Sequence, residues 1–320
     1  MKTDFNHIES VYWVFTQLCN DECDHCYNLS GPQGERISEE ECMQIIDHLP
    51  EKMDRIILSG GEPLADRKKF FAILDRLQER YGHDKQMQIM VQTNGDLLNE
   101  KWLDLMIEKG VTRFDIASID RFHKHAGARL MELAELFESR GVNGDDKDPL
   151  VDKEHYLHGH PLSWGYWGAN EDMWLGGNWA RGRAMEKDIW LKDADHNFCT
   201  ILSGARNFLG GYDDIPQEIS IQLWRINPCC PGTLYAMGDA RTEHVAEVLA
   251  RVSAHPVFQK LNDGEPYQMG EHLGISEAEA REKGKAALNI CRYCDQFFAE
   301  HLRELNDDAF LALPVVERPY

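Results

Sequence analysis

Residues 11–26 read VYWVFTQLCNDECDHC, an apolar run that gives way to three cysteines within eight positions. The run 11–18 is β-branched and aromatic, as a buried strand requires, so the thiols follow directly on a strand's C-terminal end. Working outward, 37–49 has helical periodicity, and Ser38 with Glu41 three residues on forms a capping box. The short run 55–59 (RIILS) reads as a second buried strand ending in Gly60-Gly61. In 66–81, Phe70, Leu74 and Leu77 share one helical face. A third strand over 88–92, a helix over 100–109, a fourth strand over 113–118 and a helix over 128–140 continue the alternation. Four strand–helix units in a row predict an α/β fold with a parallel sheet and right-handed crossovers, whose sites form at the C-terminal ends of the strands.

The alternation breaks after Gly141. Residues 141–153 (GVNGDDKDPLVDK) are polar and loop-like, and 164–190 holds five of the eight tryptophans among glycines. Those tryptophans form either an aromatic substrate pocket or core. One strand is expected over 218–223, helices over 242–252, 276–287 and 295–305, and a loose tail at PVVERPY.

Composition narrows the class. Of 320 residues 42% are hydrophobic and 28% charged, values that argue against disorder and fibres. No apolar run approaches the roughly 20 residues of a membrane span. Thirty-four Lys and Arg against 55 Asp and Glu give a net charge of −21, which repels phosphate backbones and anionic lipid. No nucleic acid and no membrane are expected as partners. Residues 1–20 carry Asp4 and Glu9 beside one Lys and do not read as a signal peptide, so a cytoplasmic location is expected. The nine cysteines, at 19, 23, 26, 42, 199, 229, 230, 291 and 294, therefore read as metal ligands rather than disulfides, with Cys42 a core residue of the first helix.

Iron–sulfur clusters are normally held by four thiolates. A loop offering only Cys19, Cys23 and Cys26 leaves one iron open to another ligand. Zinc is the alternative, although CxxxCxxC differs from the paired CxxC of structural zinc.

The sequence resembles the radical S-adenosylmethionine (SAM) superfamily, whose signature CxxxCxΦC places His25 at the Φ position. Ser59-Gly60-Gly61-Glu62-Pro63 is similar to the family's GGEP motif, Gln92-Thr93-Asn94-Gly95 to its TNG segment, and Ser118-Ile119-Asp120 to its polar end of strand four. The resemblance covers 11–125. It implies a partial (β/α)6 TIM-like barrel and a [4Fe–4S] cluster with an open site on Cys19, Cys23 and Cys26. SAM would be bound by His25, Tyr27, Gly60, Gly61, Glu62, Pro63, Gln92, Thr93, Asn94, Ser118 and Asp120. The Glu62 carboxylate would match the SAM ammonium, and Gly60-Gly61 would let backbone approach the methionine. An electron donor such as flavodoxin or ferredoxin is implied as a partner.

Outside that core, Cys291-x2-Cys294 immediately precedes a helix pattern, and CxxC favours metal or redox chemistry. Gly182-Arg183-Ala184, Cys199, the strand at 218–223, Pro228-Cys229 and the CxxC resemble the Twitch module, the short form of the SPASM domain. That implies an auxiliary [4Fe–4S] cluster on Cys199, Cys229, Cys291 and Cys294, with Cys230 a spare thiol or a substitute ligand. Structural zinc and unligated thiols are the alternatives. The expected division is a barrel over 1–195 and a small cysteine-rich C-terminal module, with the last helices, over 196–320.

Substrate contacts are sought at His123 and His125 past strand four, and at His155, Tyr156, His158 and His160 in an expected fifth strand. Arg225 and Asp239 are placed near the auxiliary cluster, where one could assist deprotonation of a substrate hydroxyl. The reading is an enzyme of the radical SAM oxidoreductase, dehydrogenase-like kind. Reductive cleavage of SAM gives a 5′-deoxyadenosyl radical that abstracts hydrogen from a small or medium metabolite, and the auxiliary cluster aids oxidation or substrate binding. A peptide maturase forming a crosslink or thioether is the alternative, disfavoured because only about ten residues precede strand one, against the size of a leader-binding domain. A non-catalytic iron–sulfur or zinc protein is the alternative of another class. Anaerobically reconstituted protein should hold about eight irons, falling to about four in the Cys19/Cys23/Cys26 triple-Ala variant. About four falling to none would leave a single cluster.

Overall fold

The computed structural model describes residues 5–117, 123, 128–144, 162–166, 179–201, 204–211, 215–233 and 235–307. Strands β1 (His7–Val14), β2 (Lys52–Ser59), β3 (Gln88–Thr93) and β4 (Val111–Ile116) alternate with helices α1 (Glu39–Asp47), α2 (Arg67–Tyr81), α3 (Glu100–Glu108) and α4 (Leu130–Glu138). Each expected strand–helix unit is present. Ser38 and Glu41 make the capping box at α1 in both directions, and Cys42 is wholly buried.

Two short strands, β5 (Asn143–Gly144) and β6 (Ser163–Tyr166), come next, then α5 (Gly182–Glu186). Strands β7 (Glu218–Gln222), β8 (Arg225–Asn227) and β9 (Gly238–Asp239) precede α6 (Val245–Ser253), α7 (Pro256–Asn262), α8 (Glu277–Ala287) and α9 (Ile290–Asp307). The strand order is β5-β6-β4-β3-β2-β1-β7-β8-β9. Every pairing from β5 to β7 is parallel, and the β7-β8-β9 end is antiparallel. The architecture is α/β, a partial TIM-like barrel that is not closed.

The sheet crosses the expected division at 195/196, because β7 pairs with β1 from Ser10↔Glu218 to Val14↔Gln222. The Trp13 indole N–H reinforces this seam by donating to the Leu223 carbonyl at 2.8 Å. Two helix expectations are corrected. Helix α9 starts at Ile290, so Cys291 and Cys294 lie in its first turns rather than before it, and α7, opened by His255 and Pro256, was not anticipated. The stretch expected as a fifth strand, with His155, Tyr156, His158 and His160, lies outside the described residues, as do Trp167 and Trp174. Trp164, Trp179 and Trp190 are buried, which makes them core. No helix of the described residues is long and apolar enough to cross a membrane.

The two faces of the sheet differ. One takes the helices through apolar packing: Phe15 stacks on Phe70 at 5.9 Å, and Phe137 stacks on Trp164 at 4.9 Å. On the opposite face the register aligns Ser10, Tyr12, Ser59, Gln92, Arg113, Asp115, Ser220 and Gln222, polar residues that are mostly buried. Buried polar groups need partners, and here they find each other. Arg113 Nε donates to Asp115 at 2.9 Å, and Arg55 Nε to Ser10 Oγ at 3.3 Å. Truncating the helix side should cost a full aromatic burial. Phe70→Ala is expected to lower unfolding free energy by about 3–5 kcal/mol in a urea titration, whereas under about 1 kcal/mol would mean the site collapses freely.

Candidate functional site

The first cysteine loop hangs between the end of β1 and α1. Its base is a backbone ladder: Cys19 N donates to Gly31 O at 2.9 Å, and Gly31 N to Gln17 O at 3.0 Å. Cys19 is buried, and Cys23 and Cys26 are half-buried. Cys19 feels the charges of both Cys23 and Cys26, so the three sulfurs are gathered. Burial, more than these neighbours, pushes the Cys19 thiol up to about 12. Donors already face two sulfurs. Asp21 N lies 3.4 Å and Asn94 Nδ2 3.9 Å from Cys19 Sγ, and Ser30 N lies 3.3 Å from Cys26 Sγ. Hydrogen bonds of this kind tune iron–sulfur potentials.

The turn after β2 is bound to that loop. Gly61 N donates to Thr16 O at 2.7 Å and Glu62 N to Leu18 O at 2.9 Å. A Cβ on Gly60 would sit 2.6 Å from Thr16 O, and one on Gly61 2.4 Å from Leu18 O, so the close approach here is to the chain's own backbone. Glu62 departs from expectation. Its carboxylate is wholly buried and presents no surface to a SAM ammonium. Instead it accepts from Leu64 N at 3.0 Å, Asn94 N at 2.8 Å and Thr93 Oγ1 at 2.9 Å. Burial pushes it up to about 7, opposed by those donors. Pro63 opens the buried 3-10 turn that follows.

Other expected contacts have other partners. Gln92 Oε1 accepts from Tyr12 O–H at 3.0 Å on the polar face of the sheet. Tyr27 turns to the same face, with its oxygen 3.2 Å from Tyr12 Oη and 3.3 Å from Cys230 Sγ. Tyr12 O–H also reaches Ser59 Oγ at 2.9 Å. His25 packs edge-on against His123 with ring centroids 4.5 Å apart. Ser118, Asp120 and His125 lie outside the described residues.

A second thiol set forms from distant segments. Cys199 lies in the 3-10 turn Phe198–Thr200, Cys229 follows β8, and Cys291 and Cys294 sit three residues apart on α9. Cys199 interacts with Cys291 and Cys229, and Cys294 with Cys199 and Cys229. Burial pushes Cys199 and Cys294 well up and Cys291 up to about 12. Cys230 faces elsewhere, towards Tyr27. Asp239 is not at these thiols: it is gripped by Arg241, which also reaches Glu41 at 2.8 Å. Arg225 and Arg241 both lie over the Trp224 ring.

Arg181-Gly182-Arg183 ties the two thiol sets together, a role that the resemblance at Gly182-Arg183 did not indicate. The buried Arg181 guanidinium pairs with Asp295 at 2.7 Å and donates to the Cys291 carbonyl at 3.2 Å. Arg183 donates to the carbonyls of Cys23 and Ser30, each at 2.8 Å, and its backbone N–H to Cys26 O at 2.8 Å. Gly182 between them has φ +51, and a Cβ there would lie 2.6 Å from the Tyr27 carbonyl carbon, so the crossing needs glycine.

Both sets suit iron–sulfur clusters in chemistry. Thiols gather in threes and fours, with backbone or side-chain donors at Cys19 and Cys26. Among the described residues no three His, Cys, Asp or Glu side chains converge tightly enough for a single ion. A cubane asks less, because each thiolate meets a different iron.

Residues 13–127 match the model of the Radical SAM superfamily, about a third of the chain. A [4Fe–4S] cluster and SAM are the cofactors of that superfamily. Among curated proteins the chain is 36% identical over 114 residues to the AdoMet-dependent heme synthase of Methanosarcina barkeri, covering 34% of this chain and 30% of that one. It is 32% identical over 96 residues to the S-adenosylmethionine-dependent nucleotide dehydratase RSAD2 of Oncorhynchus mykiss, covering 29% and 26%. The matches thus span under a third of these relatives. Among solved structures, BtrN in complex with AdoMet and 2-DOIA aligns with TM-score 0.48 and 16% identity, covering 84% of this chain and 90% of that one. Native anSMEcpe with bound AdoMet aligns with TM-score 0.47 and 14% identity, covering 94% and 99%.

Glu62 makes stability depend on pH. Its folded value of about 7 exceeds the ordinary carboxyl value, so its favourable contribution is complete below about 4.3 and is lost as pH rises through about 7. The apoprotein's melting temperature, relative to Glu62→Gln, should therefore fall between about pH 5 and pH 7. A flat difference would mean the carboxyl is ionised throughout.

Proposed function

We propose that the protein is a radical SAM enzyme acting on a small polar metabolite, with Cys19, Cys23 and Cys26 holding the SAM-binding cluster and Cys199, Cys229, Cys291 and Cys294 an auxiliary one. The observation that carries this is the gathering of Cys19, Cys23 and Cys26 in a loop hydrogen-bonded to the Gly60–Glu62 turn and to Asn94. Bound together, the cluster and SAM supply a 5′-deoxyadenosyl radical. This chain's residues do the rest. The loop ladder and the Glu62 bonds fix the three sulfurs to the ends of β1, β2 and β3. Asp21 N and Asn94 Nδ2 donate to Cys19 Sγ, and Ser30 N donates to Cys26 Sγ.

The polar face of the sheet supports a small polar substrate. Gln222 Nε2 donates to Ser220 Oγ at 2.9 Å and to Cys230 O at 2.8 Å, while its buried Oε1 has no partner among the described residues. A buried acceptor left unpaired costs about 1–3 kcal/mol, and a substrate hydroxyl or amine would satisfy it. A small molecule fits such enclosed groups better than an extended chain does. The Cys199/Cys229 set would exchange an electron with the substrate radical or bind substrate directly. A flavodoxin- or ferredoxin-type donor would reduce the first cluster.

Anaerobic incubation with SAM and a one-electron reductant should yield 5′-deoxyadenosine, and the Cys19/Cys23/Cys26 triple-Ala variant should yield none. Product from the triple variant would overturn the assignment. The Cys291/Cys294 double-Ala variant should lose about four irons and still form 5′-deoxyadenosine without turning over substrate. Unchanged iron in that variant would remove the auxiliary cluster.

A further inference from the structure

Cys42 and Cys230 are the thiols that neither cluster assignment uses, and Cys42 is packed in α1. Cys230 follows Cys229 directly, yet the two diverge: Cys229 joins Cys199, Cys291 and Cys294, while Cys230 Sγ lies 3.3 Å from the Tyr27 oxygen. Tyr12 also hydrogen-bonds this sulfur. The thiol is buried in the hydrophobic core, and on one side it joins a hydrogen-bonded array of Tyr12, Tyr27, Ser59 and Gln92. A second observation points to a ligand beside it. Gln222 holds the Cys230 carbonyl through Nε2 and leaves a buried Oε1 without a partner among the described residues. The array also spans the gap between the thiol sets, since Tyr27 follows Cys26 and Cys230 follows Cys229.

We propose that Cys230 is a hydrogen-atom relay, its thiol carrying the radical from the SAM-derived carbon to a substrate carbon held near Gln222. The proposal rests on the radical SAM reading above. An S–H bond is weaker than the C–H bond of a primary carbon, so transfer from sulfur is downhill. The Cys230 Sγ–H bond breaks as the C5′–H bond of 5′-deoxyadenosine forms. The sulfur then takes a hydrogen atom from a substrate C–H, which restores the thiol and leaves the carbon radical on substrate. One hydrogen atom moves at each step, and no oxidant or reductant is added. Tyr12 and Tyr27 are positioning residues, holding the sulfur by their hydroxyls.

The test needs no knowledge of the substrate. Thiol hydrogen exchanges with solvent, so the reduced, cluster-loaded enzyme incubated with SAM in D2O should form 5′-deoxyadenosine carrying one solvent deuterium. Cys230→Ser, which keeps the packing, should lose that label to natural abundance while retaining the wild-type iron content. Tyr27→Phe should lower the label while leaving iron content unchanged. Freeze-quenched wild-type enzyme should give an electron paramagnetic resonance signal that narrows when cysteine is β-deuterated. Undiminished label in Cys230→Ser would overturn the relay, as would loss of about four irons in that variant, which would make Cys230 a ligand. If wild-type enzyme forms no 5′-deoxyadenosine at all, the radical SAM reading fails first and the relay falls with it.

Discussion

A single buried carboxylate holds the first site to the sheet. Glu62 joins the turn after β2 to Thr93 and Asn94 at the end of β3, and its own backbone N–H holds Leu18 at the mouth of the cysteine loop. Burying a carboxylate without partners is costly, and here three donors offset that cost. The cysteine loop has no regular secondary structure of its own, so its shape derives from this junction and from the backbone ladder at its base. Through these bonds Glu62 positions the loop.

Much of this architecture is legible in the chain. The alternation of buried runs and helical faces gave β1 to β4 and α1 to α4, because strands and helices bury side chains with different periods. Spacing alone singled out the Cys19/Cys23/Cys26 triplet and the Cys291/Cys294 pair, while Cys199 and Cys229 joined the latter only through the Twitch resemblance. The burial of Glu62 was not legible locally, because it is decided by residues 31 positions away on β3. The same holds for Tyr27 and Gln92: nothing local reveals that both meet Tyr12 across the sheet. The choice between Cys229 and Cys230 was open in sequence because both lie in the turn after β8, and only the fold shows that Cys230 faces Tyr27.

The polar face of the sheet shows why a partial barrel suits radical chemistry. Its helix side is close-packed by Phe15, Phe70, Phe114 and Phe137, which makes the strands rigid. Its inner side spends that rigidity on buried hydroxyls, amides and one thiol, held in place by each other rather than by water. A reactive carbon radical released among such groups meets few bonds by accident, and the neighbours it does meet are fixed.

The three-residue strap at 181–183 has a thermodynamic consequence. Arg181 is committed to the helix bearing Cys291 and Cys294, and Arg183 to the carbonyls of the loop bearing Cys23 and Cys26. With Gly182 wedged against Tyr27, neither arginine can shift far without dragging the other. Any order that filling one thiol set imposes on the strap is thus passed to the other. By linkage the effect is reciprocal, each site gaining the same free energy from the other's occupancy. Were clusters held at both sets, the strap would couple their occupancies, and loading of one would change the affinity of the other by the same factor in each direction.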